Sequence, residues 1–356
     1  MPEPGAPAAV DAAAPPATTA SAGRRGLRIH PFEIVAYAMT LVVVAILRAR
    51  GLRMNGHAFG WSFVPMIENL PRVLAIGAVL QVVGHLVTRR SLGGWLRAVG
   101  RPRSLALWLR LWFAAMALTF SYTWLKVCIP LLRTRVFDPE LWRLDRALHF
   151  GVSPSIFVTE LFHGTVLTPL FDRWYGVWVA MVLALLSYAF LADDVRARRH
   201  AATAWILLGF AGVFLYLALP ALGPCYSFPG AFAELMPRMP NAAAGQRVLW
   251  GNYVRMIAGR DGSLREFNPY LGIAAMPSLH VGADWMFALW ARRFAPRLFL
   301  PLALATFLTF LGSILTGWHF AVDGYVGILL AWGAVRLADR LEPRRSVPES
   351  TDARTS

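Results

Sequence analysis

Charged side chains are scarce in this chain, and their scarcity excludes a soluble domain of this size. Only 15% of the 356 residues are charged and 57% are hydrophobic, with a mean hydropathy of +0.49. Such a composition is typical of a protein that crosses a membrane several times. We therefore expect an all-α fold, a polytopic bundle of membrane helices.

Cysteine and lysine are scarcer still. Two cysteines, Cys128 in an apolar run and Cys225 in a loop, do not favour a disulfide framework. Lys126 is the single lysine, so the net charge of +15 comes almost entirely from arginine. These arginines fall in short loops between apolar runs, which is typical of membrane orientation. The basic balance therefore does not indicate nucleic-acid binding.

Both ends of the chain lack residues that could form a core. Residues 1–30 are mostly Ala, Pro, Gly, Ser and Thr, and we predict a disordered cytoplasmic tail there. They do not read as a secretory signal, because Arg24 and Arg25 follow the stretch instead of opening it. The polar residues 342–356 are predicted to form a second such tail. Residues 31–341 are then the predicted membrane catalytic domain.

Apolar runs that could cross a membrane, which takes about 20 residues, are abundant. We count about eight candidates, the sixth of them short. They lie roughly at 32–48, 72–88, 105–125, 174–192, 201–219, 278–291, 298–316 and 320–338.

Arginine positions predict the orientation of these spans. Four connections or tails rich in arginine fall on one side, which the positive-inside rule makes cytoplasmic. Their arginines are Arg89, Arg90, Arg97, Arg101, Arg103, Arg196, Arg198, Arg199, Arg292, Arg293, Arg297, Arg340, Arg344 and Arg345. Arg48, Arg50 and Arg53 depart mildly from this rule.

Two long connections, 126–173 and 220–277, are predicted on the extracytoplasmic side. In the first, Asp138-Pro139 precedes leucines at helical spacing, which predicts a short helix over 138–150 in the membrane interface. The second carries Pro220, Pro224, Pro229, Pro237 and Pro240 and is predicted to be irregular and to shape a substrate entrance.

Two histidines begin spans on this outer side, where ionisable residues are costly and usually functional. Four positions separate His319 from Asp323, so on a helix the two share one face. Such an imidazole can attack phosphorus when a carboxylate fixes its tautomer, and His280 is the candidate acid. Ser278 and the amides after it are candidates for binding phosphoryl oxygens. Gly317 permits close backbone approach.

Two segments resemble a known family. Pro277-Ser278-Leu279-His280, and Gly317-Trp318-His319 with Asp323 four positions on, look like two signatures of the type 2 phosphatidic acid phosphatase superfamily. The resemblance implies a phosphohistidine mechanism, with His319 as nucleophile, Asp323 orienting it and His280 as acid and later base. We expect a core six-helix phosphatase-like bundle, and neither a cofactor nor a metal.

Other parts of the family pattern are weakened. The third signature usually opens with Ser-Arg, and Gly312-Ser313 stand here instead. The first signature, Lys-x6-Arg-Pro, is matched only by the spacing of Lys126 and Arg133, since Thr134 replaces the proline. Both basic residues remain candidates for substrate binding.

These departures resemble the branch that contains inositol phosphorylceramide synthase. Leu144-Asp145-Arg146 and Gly151 also look like that branch, and the looser likeness runs from about 120 to 338. The resemblance implies transfer of a head group between lipids. A phospholipid or sphingolipid is the expected substrate, in a bacterial inner membrane with the site facing the periplasm.

Several alternatives stay open at this stage. Hydrolysis by a simple lipid or polyprenyl phosphate phosphatase uses the same covalent step. His280, His319 and Asp323 could instead form an open zinc site of an intramembrane hydrolase, although His-Glu-x2-His is absent. A non-enzymatic lipid transporter would be expected to carry inverted repeats, and we find none.

Four further residues have open roles. Arg255, Arg260 or Arg265 could neutralise a phosphate in place of the missing arginine. Asp284, one turn after His280, either tunes that histidine or is a buried polar tie.

Overall fold

The computed structural model describes residues 29–52, 56–259 and 268–343, and every regular element in this part of the chain is helical. Nearly all of the two predicted tails, together with Arg53, Arg260 and Arg265, lies outside these residues. The α-helices are α1 (Pro31–Ala49), α2 (Gly56–Thr88), α3 (Leu92–Val99), α4 (Pro102–Leu132), α5 (Asp138–Leu148), α6 (Pro154–Phe162), α7 (Leu167–Gly176), α8 (Trp178–Phe190), α9 (Val195–Ala218), α10 (Pro224–Ser227), α11 (Pro240–Ala258), α12 (Leu279–Phe294), α13 (Phe299–Leu315) and α14 (Ala321–Leu341).

The prediction of a multi-pass helical membrane protein is confirmed, but the number of spans is not. Within the described residues, six helices are long and apolar enough to cross a membrane. A seventh is added if α7 and α8, which meet at 50°, count as one broken span. The predicted sixth span corresponds to α12, which has 16 residues and is shorter than a full crossing requires.

The two ends of the bundle differ in chemistry. At one end, ion pairs join α1 to α4 (Glu33 with Arg110) and α9 to the chain just after α14 (Arg199 with Glu342, 3.2 Å). Arginines from the start of α9 and the end of α12 also line a cleft there. The opposite end holds both histidines of the sequence motifs, on a cavity described below. Polar groups therefore concentrate at two separate ends of an apolar bundle.

Glycines set the crossing of α12 and α14, which carry or adjoin these histidines. A Cβ at Gly327 would lie 2.2 Å from the carbonyl oxygen of Ser278, and one at Gly282 would lie 2.9 Å from the carbonyl oxygen of Gly327. Real side chains do not fit at such distances, so the backbones touch directly. This close approach brings the starts of the two helices together.

Prolines begin helices here more often than they interrupt them. Pro240 opens α11, a helix of 19 residues inside the connection that we predicted to be irregular. That prediction is wrong for Pro240–Ala258, because proline at the first helical position loses no hydrogen bond and already has a helical φ. The helix predicted over 138–150 is confirmed as α5.

Candidate functional site

His280 and His319 face one another across a single cavity. Their ring centroids are 5.8 Å apart, and the cavity has a volume of about 250 Å³. Helices α4, α7, α11 and α12 and the segment before α14 build its wall. The lining residues are Lys126, Asp172, Tyr175, Gly176, Leu222, Asn241, Ala242, Gly245, Leu249, Gly272, Ile273, Ala274, His280, Thr316, Trp318 and His319.

His319 stands outside the helix that carries Asp323. The helix α14 begins at Ala321, so the expectation that both residues share one helical face is wrong. Nδ1 of His319 lies 2.8 Å from the carbonyl oxygen of Ala275 and 3.4 Å from a carboxylate oxygen of Asp323. Both neighbours accept hydrogen bonds, so Nδ1 carries the proton and Nε2 keeps a lone pair. The shorter contact, to a backbone carbonyl, orients the ring most strongly.

Asp323 is fully buried and acts on two neighbours. One carboxylate oxygen accepts the Phe320 N–H at 2.9 Å, which satisfies an amide at the start of α14. The same oxygen lies 3.4 Å from Nδ1 of His319. The backbone oxygen of Asp323 accepts the Ser278 N–H at 2.9 Å. Asp323 thus ties the two motifs together without lining the cavity.

Ser278 and Gly317 also lie next to the cavity without lining it. Ser278 precedes α12 as its N-cap, its side chain makes no capping hydrogen bond, and the residue is fully buried. Gly317 has φ +72°, and a Cβ there would lie 2.9 Å from Cβ of Cys225. Its carbonyl oxygen accepts the Cys225 N–H at 2.8 Å. Gly317 therefore serves a backbone turn just before the histidine.

His280 is held between aromatic rings that sequence reasoning did not single out. The ring of Tyr175 stacks at 4.9 Å from it and that of Trp178 lies at 4.0 Å, centroid to centroid. The Trp178 Nε1–H donates to Asp284 at 3.0 Å, and the Thr309 hydroxyl donates to the other oxygen at 2.6 Å. Asp284 is therefore a buried polar tie that reaches His280 only through the indole of Trp178. The only sign of this aromatic pair in the sequence is that Tyr175 and Trp178 are three residues apart.

Among the residues that the structure describes, Lys126 is the only lysine or arginine that lines the cavity. Its Nζ lies 5.3 Å from the ring of Tyr216 and 5.8 Å from that of Tyr122, distances that suit cation–π attraction. Gly272 packs against it, since a Cβ there would lie 3.0 Å from Cγ of Lys126. The structure thus brings Lys126 to both histidines.

Two other basic candidates, Arg133 and Arg255, do not line the cavity. Arg133 is the exposed C-cap of α4, and Arg255 is exposed on α11.

Helix α11 closes one side of the cavity with small residues, Ala242 and Gly245 among them. Its first amides are held by the buried Asp172, which accepts the N–H groups of Asn241 and Ala242 at 3.0 and 2.7 Å. Gln246 donates to the carbonyl oxygen of Thr316 at 2.8 Å, one turn before His319. This helix is therefore part of the site, although nothing in the sequence except Pro240 indicated it.

Burial raises the pKa of two groups that lie outside the candidate spans. It raises the pKa of the Cys225 thiol, which therefore stays protonated and is not a competing nucleophile. Burial also raises the pKa of the Asp145 carboxyl above its usual value, although the amides of Ala321 and Val322 lower it.

Metal ligands are not assembled at this site. Across the part of the chain that the structure describes, no group of three or more His, Cys, Asp or Glu side chains is arranged to hold a metal ion. The zinc alternative therefore has no ligand set among these residues.

The fold and the site define a multi-pass helical membrane protein with two histidines on one cavity. The model of the PAP2 superfamily matches residues 139–337, which is more than half of the chain and includes both histidines. The chain belongs to the PAP2 superfamily, as the two signatures predicted. Membership supports a phosphatase-type enzyme that acts on lipids. No curated protein and no solved structure matches the chain significantly.

Proposed function

We propose that this chain is an integral-membrane lipid phosphotransferase that acts on a phosphodiester through a phosphohistidine at His319. The observation that carries the proposal is the placement of His280, His319 and Lys126 on one cavity of about 250 Å³. With the two ring centroids 5.8 Å apart, there is room for a phosphorus atom between a nucleophile on one side and an acid on the other.

The first step is attack on the donor lipid. Nε2 of His319 forms a bond to phosphorus as one P–O ester bond breaks, and the leaving oxygen takes a proton from His280. The developing imidazolium of His319 is stabilised through Nδ1 by the Ala275 carbonyl and the Asp323 carboxylate. His280 is left neutral, as a base.

The second step releases the phosphoryl group. An acceptor hydroxyl attacks phosphorus, its proton passes to His280, and the N–P bond breaks with its electron pair returning to His319. An alcohol acceptor gives head-group transfer, and water gives hydrolysis. Both outcomes use the same residues in the same roles.

Charge favours a phosphodiester as the donor. A phosphodiester carries one negative charge, whereas a phosphomonoester carries about −1.5 to −2 at pH 7. Lys126 brings one positive charge to the cavity, and Asp172 lies on the same wall. Lys126 is the one cation among the described residues that line the cavity, and one positive charge matches the diester better. This match supports the branch that resembles inositol phosphorylceramide synthase. Ser278, Arg133 and Gly317 are the other candidates for substrate binding. Ser278 and Gly317 support the backbone next to the cavity without lining it, and Arg133 is exposed at the end of α4.

The apolar part of the wall suits a lipid. Leu222, Leu249, Ile273 and Ala274 line the cavity together with the polar groups. A phospholipid or sphingolipid can therefore present its phosphate to the histidines while its apolar part stays on hydrocarbon surfaces.

We further propose a position in a bacterial inner membrane, with the site facing the periplasm. Arg196, Arg199 and Arg293 line a cleft at the other end of the bundle, and the positive-inside rule assigns that end to the cytoplasm. Residues 31–341 then act as one membrane catalytic domain. The second candidate is a phosphatase for lipid or polyprenyl phosphates, favoured by membership in the superfamily.

The deciding experiment incubates the purified protein with a set of phospholipids, with and without an alcohol acceptor, and identifies the products by mass spectrometry. A new phosphodiester that appears only with acceptor supports transfer. Phosphate or a phosphomonoester formed regardless of acceptor supports the phosphatase. Vanadate should inhibit either reaction. Inhibition by a metal chelator without inhibition by vanadate would contradict both.

A further inference from the structure

Helix α5 lies outside the candidate spans, yet it contacts the chain on both sides of His319. Asp138 and Asp145 are seven residues apart and therefore lie two turns apart on one face of this helix. Both are buried, with exposed fractions of 0% and 2%. Buried carboxylates are rare unless their oxygens are hydrogen-bonded, so the partners of these two reveal what the helix holds.

Asp145 binds the chain directly after His319. Its two carboxylate oxygens accept the N–H groups of Ala321 and Val322, each at 2.8 Å. These are the first two amides of α14, which have no partner within the helix. The carboxylate therefore fixes the start of the helix two residues after the nucleophile and just before Asp323.

Asp138 binds a loop that reaches His319 by another route. Its carboxylate accepts the N–H groups of Leu222 at 2.9 Å and Gly223 at 2.7 Å. A Cβ at Gly223 would lie 2.5 Å from the carbonyl oxygen of Trp318. The loop therefore touches the residue directly before His319.

The same loop also holds the carbonyl that orients the His319 ring. The Ala275 N–H donates to the carbonyl oxygen of Ala221 at 2.8 Å, and the Ala275 carbonyl accepts from Nδ1 of His319 at 2.8 Å. The Phe137 N–H, at the start of α5, donates to the carbonyl oxygen of Pro220 at 2.8 Å. Each end of α5 is thus connected to the histidine through hydrogen bonds.

Apolar packing fills the space between the two carboxylates. Leu141, on the same face of α5, forms one buried cluster with Phe320 and Val322 from the third signature and with Ala275 and Met276 from before the second. The helix therefore packs against both motifs at once.

We propose that Asp138 and Asp145 are positioning residues for His319, so that α5 acts as an external splint for the nucleophile. This inference rests on the proposed function. A displacement of about 1 Å at a reacting group can cost on the order of 100-fold in rate. A ring that stands in a loop depends on its neighbours for its position.

The alternative is that both aspartates only stabilise the fold as caps. Loss of a residue that is only a cap lowers the melting temperature and leaves the chemistry of the folded molecules unchanged. A positioning residue instead lowers the turnover number of folded protein while Lys126 and the rest of the cavity keep KM near its wild-type value.

The test compares Asp145→Asn and Asp138→Asn with Glu140→Gln. The control makes the same carboxylate-to-amide change on α5, at a side chain paired on the surface with Arg135. In Asp145→Asn the side chain offers one acceptor and turns an NH₂ toward the second backbone amide, so one hydrogen bond is lost. In Asp138→Asn the remaining oxygen can still accept from both Leu222 and Gly223, since one oxygen of Asp138 lies 3.1 and 2.7 Å from their nitrogens, and only the second contact to Leu222 is lost. Turnover number and KM are measured well below the melting temperature, and hydrogen–deuterium exchange is followed by mass spectrometry.

We expect Asp145→Asn to lower the turnover number about 10- to 100-fold with KM within about threefold, and Asp138→Asn to lower it less. Exchange should rise locally at 317–323 and at 221–223, and Glu140→Gln should match wild type in every readout. Unchanged turnover or unchanged local exchange in a folded variant would overturn the proposal. If Asp145→Asn fails to fold, the same measurements on Asp138→Asn test the proposal.

The exchange measurement keeps this inference separate from the proposed function. If the wild-type protein transfers no phosphoryl group from any lipid tested, the proposed function fails. A local rise in exchange at 317–323 would still support the splint, and its absence would overturn it.

Discussion

The two histidines of the site are held in opposite ways. His280 is part of the helix α12, and the rings of Tyr175 and Trp178 lie against its imidazole at 4.9 and 4.0 Å. His319 stands in a loop, and its ring is fixed by Nδ1, which donates to the Ala275 carbonyl and lies near the Asp323 carboxylate. One imidazole is held by apolar faces and the other by polar contacts.

This difference matches the different tasks proposed for the two rings. A nucleophile needs one tautomer and one direction, which an acceptor on Nδ1 provides. An acid that later becomes a base must gain and lose a proton, and stacked aromatic faces hold its plane without fixing its proton. The contrast therefore predicts unequal responses to substitution.

Replacing His319 should have the largest effect. His319→Ala removes the atom that bonds to phosphorus, and we expect activity to fall on the order of 10⁴-fold or more with the protein still folded. Initial rates on the phospholipid donor check this. The control is His163→Ala, on the outer surface with a side chain 54% exposed, which should keep wild-type activity. An active His319→Ala protein would contradict the roles assigned to the two rings.

Replacing His280 should have a smaller effect that depends on the substrate. His280→Ala removes the proton donor for the leaving oxygen, which is worth about 10²- to 10⁴-fold on lipid substrates. A phosphodiester with a nitrophenol leaving group needs no proton in the first step, so the initial burst of nitrophenol should recover most of the lost rate, although the second step still lacks its base. The same substrate should not rescue His319→Ala. An equal loss in the nitrophenol burst and in the rate on the lipid would mean that His280 is not the acid.

Lys126 should affect binding of the donor more than the chemical step. Lys126→Met removes the positive charge from the cavity, and we expect KM for the phospholipid to rise about 10- to 100-fold. Arg133→Gln, which changes the exposed C-cap of the same helix, should leave KM unchanged. An unaltered KM in Lys126→Met would assign this lysine to membrane anchoring.

The close contact of α12 and α14 at Gly282 and Gly327 joins the segments that carry the two histidines. A larger residue there should mainly lower the stability of the fold. Gly327→Ala forces a methyl group against the Ser278 carbonyl, and such overpacking costs about 1–3 kcal/mol. Thermal unfolding and activity should both fall. Gly333→Ala, on the same helix with open space around its Cβ, should be neutral or slightly stabilising. Equal melting temperatures for the two variants would contradict the close backbone contact of α12 and α14 at Gly327.

The smallest effect is expected at the aromatic cage of His280. Trp178→Phe keeps a ring against the imidazole and loses the hydrogen bond to Asp284, which is worth about 1 kcal/mol and so about fivefold in rate. The corresponding change Trp332→Phe, at a residue 52% exposed, serves as the control. A loss as large as that of His280→Ala would mean that Trp178 takes part in the chemistry directly.

The helical class, the location of α5 and the superfamily could be predicted from the sequence, because apolar periodicity and two short motifs are local signals. Whether Lys126 or Arg133 faces the cavity could not, since both stand near the same predicted span end. The rings around His280 and the backbone acceptor for His319 come from distant segments. Such contacts leave no mark in the spacing of residues.

Some predictions failed for identifiable physical reasons. His319 and Asp323 are four positions apart, but the helix starts between them, and the carboxylate binds the helix start as well as the ring. Asp145 was noticed only for its resemblance to a family pattern, whereas its two amide partners give it a physical role. A carboxylate that caps a helix from a distant part of the sequence therefore becomes visible only in the structure.

The most direct test of the central proposal is to trap the covalent intermediate. The protein is mixed with a phospholipid donor without an alcohol acceptor, quenched in alkaline denaturant within one turnover, digested and analysed by mass spectrometry. The proposed mechanism predicts a phosphoryl adduct on His319 that disappears when the acceptor is added before the quench. Turnover with His319 unmodified, or with the adduct on another residue, would contradict it.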